Sequence, residues 1–242
     1  MTLLLRYVRT GSLELLRYPA FSVPTLLFPT LLFLLLAART ANEEAPRTMA
    51  GFAAVALIGV AFFQFGVGIA AERASPWESF LRSLPVSPST RIGSRVGSAL
   101  LYGGASTALV ITAALVTTPV SLPTIRWFAF AVVLLLGSVP FALFGIALGY
   151  WIRPRAALPV ANLLFLPLVF AGGLFTGQRD VSGDLGQVTR FLPTGQWREL
   201  LWGAVDGRFP SVEPAIGLCA YTVAFAVLAV LAYRRDEGER YG

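Results

Sequence analysis

Six apolar runs, each long enough to cross a bilayer, constrain this chain more than any other feature. They cover residues 21–38, 50–71, 92–117, 127–152, 156–175 and 214–233, about 18 to 26 residues apiece. A helix rising 1.5 Å per residue needs about 20 residues to cross the hydrocarbon core. In lipid, backbone N–H and C=O groups must be satisfied within the protein, which makes each run a helix. The fourth and fifth runs are separated only by Arg153-Pro154-Arg155, where a proline and two arginines break what would otherwise be one long helix into a tight hairpin. The expectation is an all-α membrane protein, a single transmembrane domain over residues 1–242 with six spans.

Composition agrees: 56% of the 242 residues are hydrophobic and 13% charged, with a mean hydropathy of +0.70. A soluble domain cannot bury that much apolar surface. The pI of about 10.1 does not imply nucleic acid, because the basic residues flank apolar runs instead of forming a patch.

All 19 basic residues are arginine, and lysine and histidine are absent. This excludes a P-loop for ATP, Schiff-base chemistry, Ser/His/Asp triads and His-ligated metals. Cys219 is the lone cysteine, inside the last run with no pairing partner, and is expected to serve packing. No catalytic residue, bound cofactor or metal site is expected in this chain. The N-terminal stretch with Arg6, Arg9 and Arg17 before an apolar run is too long for a signal peptide and lacks a small-residue cleavage site, so a retained first helix is expected.

Arginines set the orientation. The segments expected on one side (N-terminal segment, second-to-third connection, Arg153/Arg155 hairpin and C-terminal tail) hold 12, against 7 on the other. By the positive-inside rule the richer side is cytoplasmic, which places a multi-pass protein in the cell membrane with both termini inside.

Three stretches outside the spans carry their own pattern. Leu4, Val8, Gly11 and Leu15 share a helical stripe, which predicts an amphipathic helix at the cytoplasmic surface. After the second span, Ser75-Pro76-Trp77-Glu78 reads as a capping box with proline at the first helical position. Trp77, Phe80, Leu81 and Leu84 then recur at helical spacing, Glu78 and Arg82 form an i,i+4 pair, and Pro85 ends the helix. Its greasy face suits either a membrane surface or a protein partner. The third stretch, residues 177–213, is too long for an idle loop. It places Trp197, Leu200, Leu201, Ala204 and Val205 at helical spacing after Thr194, with Gly207 to stop the helix. One or two short extracellular re-entrant helices that cap the bundle are expected there.

Inside the spans the strongly polar side chains are Gln64 and Asn162, and no carboxylate or arginine lies near a midplane. Ion-coupled carriers need ionisable or multiply coordinating groups there, so any transport energy is expected from another subunit. Phe62, Phe63, Gln64 and Phe65 in the second span, with Asn162 in the fifth, are candidates for a path lining that suits an apolar or amphipathic compound, although aromatics in a membrane helix more often face lipid or a packed neighbour. Gly145-x-x-x-Gly149 and Gly172/Gly173 permit close helix approach. An ATP-independent channel or secondary carrier lined by Gln64 and Asn162 is the alternative. An intramembrane enzyme is disfavoured by the missing histidine, carboxylates and paired cysteine.

The amphipathic start, six spans, the stretch from Glu72-Arg73 through Ser75-Pro76-Trp77-Glu78 and Phe80-Leu81-Arg82 to Leu84-Pro85, and Phe191-Leu192-Pro193 before the last span together resemble the transmembrane subunits of ABC-2 type exporters. That family exports drugs, antibiotics, polysaccharides and lipids. The resemblance implies that residues 72–85 are the coupling helix, with Glu72, Arg73, Trp77, Glu78, Phe80, Leu81, Arg82 and Leu84 meeting a groove of an ATP-binding cassette subunit. That partner would bind ATP and Mg. It further implies pairing with a second copy of this chain or a sister permease. Where family members frequently carry glycine in this turn, the chain has Ser75-Pro76, which keeps the cap and alters the docking contacts.

Overall fold

The computed structural model describes residues 19–38, 44–75, 88–175, 184–208 and 211–241; near the ends of some segments it describes the backbone alone. Every regular element among them is helical: α1 (Pro19–Leu36), α2 (Ala45–Arg73), α3 (Pro88–Thr117), α4 (Thr124–Trp151), α5 (Pro154–Ala171), α6 (Asp184–Phe191), α7 (Pro193–Asp206) and α8 (Val212–Tyr241). Five of them, α2, α3, α4, α5 and α8, are long and apolar enough to cross a membrane. The helix α1 is 18 residues long, and its stretch Leu26–Leu36 is apolar apart from Thr30. The stripe at residues 4–15 lies outside the described residues.

The centre of the bundle is α2, with 72% of its apolar window buried against 17% for α8. From Met49 to Val60 it is apolar on all sides and rich in small residues (Ala50, Gly51, Ala53, Ala54, Ala56), and every one of these is buried. Small side chains let neighbouring backbones come close, which is the source of packing energy where lipid removes the hydrophobic drive. Around it, α3 and α4 pack on either side, α1 leans on α3, and α8 runs along α4. Phe33, Phe52, Phe62, Phe130, Phe141 and Trp197 fill the core between them.

Between Ala61 and Val67 the α2 ladder widens into a π-helical segment. The Gly145/Gly149 pair of α4 lies against it: a Cβ on Gly145 would collide with the Ala61 carbonyl, and one on Gly149 with the Phe65 carbonyl and Ile69. The small-x-x-x-small spacing is thus spent on a seam within one chain. A π-bulge is uncommon and concentrates at functional sites.

The hairpin between α4 and α5 is as sharp as its sequence requires. Ile152 and Arg153 are extended and Pro154 opens the next helix. The helix α5 is shorter than its apolar run, ending at Ala171, because Gly173 adopts a left-handed φ of 67°. Two hydroxyls also donate to carbonyls at that end: Thr194 Oγ1 to Leu168 O at 2.8 Å, which accepts from Gly172 N–H as well, and Thr189 Oγ1 to Ala171 O at 2.6 Å. These bonds fasten the α6–α7 pair to α5.

The helix after α6 forms where the spacing predicts, one residue earlier than Thr194: Leu192 is extended, Pro193 takes the first helical position, and Gly207 closes it at φ 71°. Trp197, Leu200, Leu201, Ala204 and Val205 are all buried, so α7 is inserted among α2, α4 and α8. Trp197 Nε1 donates to Val133 O at 3.0 Å and its ring stacks on Phe141 at 5.2 Å. Cys219 differs from the packing role expected of it: it lies on the exposed face of α8.

Candidate functional site

The last residue of α2 is Arg73, and the stretch resembling a coupling helix starts beside it. Its guanidinium is drawn back into the bundle. Nη1 donates to Gly149 O at 2.9 Å and Tyr150 O at 2.7 Å, and Nη2 pairs with Asp236 on α8. The guanidinium carbon lies 5.6 Å from the Tyr150 ring centroid. Gly149 and Tyr150 lie in the last turn of α4, whose carbonyls carry the negative end of the helix dipole, so a cation is favoured there. The Asp236 side chain is 4% exposed and that of Arg73 17%.

Aromatic contacts reinforce this junction. Tyr150 meets Tyr233 edge-to-face at 5.2 Å, and Arg235 lies 6.0 Å over Trp151. The end of α2 is thereby bound to the ends of α4 and α8, three helices distant in sequence. Glu72 next to it is on the exposed side. Trp77, Glu78, Phe80, Leu81, Arg82 and Leu84 lie outside the described residues. Asp236 and the α4 carbonyls were not foreseen from sequence; the signal available was that Asp236 directly follows Arg234 and Arg235 just past the last apolar run.

The residues proposed for a path divide into two sets. Phe62 is fully buried, edge-on to Phe144 at 5.6 Å and Phe165 at 6.1 Å. Phe65 packs with Val60, Ile69, Ala99 and Tyr102. Phe63 is half-buried, 5.6 Å from Phe165. Gln64 is half-buried in the π-helical segment, and its Nε2 donor is shielded with no acceptor. Asn162, ninth of the 18 residues of α5, is exposed. On the α7 side, an apolar groove of about 260 Å³ is lined by Phe141, Phe144, Leu168, Pro193, Tyr221 and Phe225, among others.

The opposite end of α2 holds a second charged junction. Arg47 donates to both oxygens of Asp206, at 3.0 and 3.0 Å with a longer 3.3 Å contact, and Arg208 reaches Asp206 at 2.8 Å. Arg126, at the start of α4, donates to Val205 O at 3.4 Å. No group of three or more metal-binding side chains occurs among the described residues.

Five bilayer-length apolar helices, a core of small residues and aromatics, and ion pairs at both ends of the central helix define a multi-pass membrane protein. A family model described as ABC-2 type transporter matches residues 2–189. The chain belongs to the ABC-2 type transporter membrane family. Among curated proteins it is similar to "Putative transport permease YvfS" of Bacillus subtilis (strain 168), at 21% identity over 182 residues, covering 75% of this chain and 74% of that one. A transporter membrane subunit follows from the family.

Proposed function

We propose that the chain is the transmembrane subunit of an ATP-driven exporter, coupled through residues 72–85 to a separate ATP-binding cassette subunit that carries ATP and Mg. The observation that carries this is the Arg73 junction. A coupling helix moves a bundle only if its root is fixed to helices that must move with it. Arg73 ties that root to α4 through Gly149 and Tyr150 and to α8 through Asp236. The spacing of Trp77, Phe80, Leu81 and Leu84 in the sequence predicts a helix with an apolar face, which in this proposal meets the partner.

In this proposal α1 is the sixth span, both termini are cytoplasmic, α6 and α7 are re-entrant from the outer side, and two copies of the chain, or the chain and a sister permease, enclose the path. Asn162 supports a covered outer face of α5. An amide exposed to hydrocarbon at mid-span leaves polar groups unsatisfied at several kcal/mol, about 4–8 by cyclohexane transfer, so this face suits water or protein. Gln64, in the π-helical segment, is the second polar contact for an apolar or amphipathic substrate, multidrug efflux being one such role. A hydrophobic path with two amides fits a compound of that kind.

The competing proposal is an ATP-independent channel or secondary carrier. Proteoliposomes holding the chain alone, compared with liposomes holding the chain and its ATP-binding subunit, distinguish them. Transport of amphipathic dyes that requires the second subunit and ATP supports the exporter. Transport by the chain alone, driven by an ion gradient, contradicts it.

A further inference from the structure

Arg198 is the one buried arginine among the described side chains, 5% exposed. It follows Trp197, whose indole bonds to Val133 O, a position seven residues into α4 from Arg126 and so about 10 Å along the helix axis. The guanidinium is always ionised. Only Nη2 has a hydrogen-bond partner, Glu199 Oε1 at 3.0 Å, and the Glu199 side chain is 44% exposed. Nε and Nη1 are shielded and have no acceptor, and neither has the indole N–H of Trp202. The Trp202 ring lies 4.5 Å from the Arg198 guanidinium carbon and 5.8 Å from that of Arg47. Charged donors left without acceptors in a buried site are costly, and ionisable groups at membrane depth mark functional sites.

We infer that Arg198 and Trp202 form a binding site for a phosphate group, at the end of the bundle opposite the coupling stretch, with Glu199 as its internal competitor. Nε and Nη2 share one edge of the guanidinium, the edge that takes two oxygens of a phosphate side by side. Glu199 holds half of that edge. When Glu199 swings into solvent, which its exposure permits, the whole edge and the Trp202 N–H become available to phosphate oxygens. The same chemistry is offered by the headgroup of an anionic phospholipid and by free phosphate. A purely structural Arg198, by contrast, keeps Glu199 as its only anion and gains nothing from losing it.

The test uses the full chain, purified in detergent and stripped of lipid. It is titrated with phosphatidylglycerol, with diacylglycerol of the same acyl chains, and with sodium phosphate against sodium chloride at equal ionic strength. Bound ligand is read by native mass spectrometry and by the melting temperature. Phosphatidylglycerol should be retained and diacylglycerol should not. Affinity should fall about tenfold or more in R198Q, as expected for a lost charged hydrogen bond, fall by a smaller factor in W202F, and rise in E199Q. The same pattern with sodium phosphate alone makes the free anion the ligand and supports the site. Equal retention by wild type, W202F and E199Q, or no binding to any of them, overturns the proposal even if R198Q does not fold. No ATP-binding subunit is in the assay, so the outcome is independent of the coupling proposal.

Discussion

Arg73 and Asp236 are 163 residues apart in sequence, and their side chains form an ion pair shielded from solvent at one end of the bundle. The same guanidinium closes the last turn of α4. One side chain thus links the root of the stretch proposed for coupling to two other helices. Breaking a buried pair by removing one partner strands a desolvated charge, with a penalty of about 3–5 kcal/mol. D236N should therefore lower stability by an amount of that order, measured as melting in detergent, and should reduce ATP-dependent transport more than assembly with the ATP-binding subunit. R73Q combined with D236N should be milder than the sum of the two single changes, because the charges are removed together. Strict additivity would mean that the two residues do not act as a pair.

Gly145 and Gly104 offer a contrast within one membrane domain. A methyl on Gly145 meets the Ala61 carbonyl, whereas one on Gly104 meets nothing within 4 Å. G145A should destabilise by about 1–3 kcal/mol, the usual range for overpacking, and G104A should be neutral or slightly stabilising from helix propensity. Thermal melting of the two variants decides it. Equal effects would remove the case for a tight α2–α4 seam at the π-helical segment.

Trp197 anchors α7 by shape and by one hydrogen bond. W197F keeps most of the ring contact with Phe141 and loses the donor to Val133 O, a loss of about 1 kcal/mol. W197A leaves a cavity at about 3–5 kcal/mol. A melting series should reproduce that order; equal losses would place all of the anchoring in the hydrogen bond.

Asn162 reports on what covers α5. With the exposed Cys219 replaced by serine, N162C is the sole thiol in the chain. A hydrophilic maleimide should label it in membranes if this face borders water in the path. Resistance to the hydrophilic reagent combined with ready labelling by a lipid-soluble one would set Asn162 against lipid and remove it from the path.

Much of the bundle was legible in the sequence because lipid enforces a simple rule: long apolar runs must be helices. Arg153-Pro154-Arg155 marks the hairpin for the same reason, since neither proline nor paired arginines continue a span. The capping and spacing signals around Trp197 and Gly207 located α7. What the sequence could not supply is distance. Nothing in the local pattern pairs Arg73 with Asp236, or sets Gly145 against Ala61, since both depend on how separate helices cross. Arg198 entered the sequence reading only as one of the seven arginines on the side opposite the cytoplasmic one; its burial follows from α7 being inserted into the bundle, which helical spacing alone does not reveal. Cys219 was assigned to packing because an apolar run does not say which of its faces meets lipid.

The central claim is that residues 72–85 dock on a separate ATP-binding cassette subunit. Affinity purification of the tagged chain from its native membrane in mild detergent, followed by mass spectrometry, tests it most directly. A stoichiometric ATP-binding subunit should accompany the wild-type chain and be lost in F80D and in L81D, with the chain itself still folded. Recovery of the wild-type chain alone, still active in transport, or undiminished copurification with both variants, would contradict it.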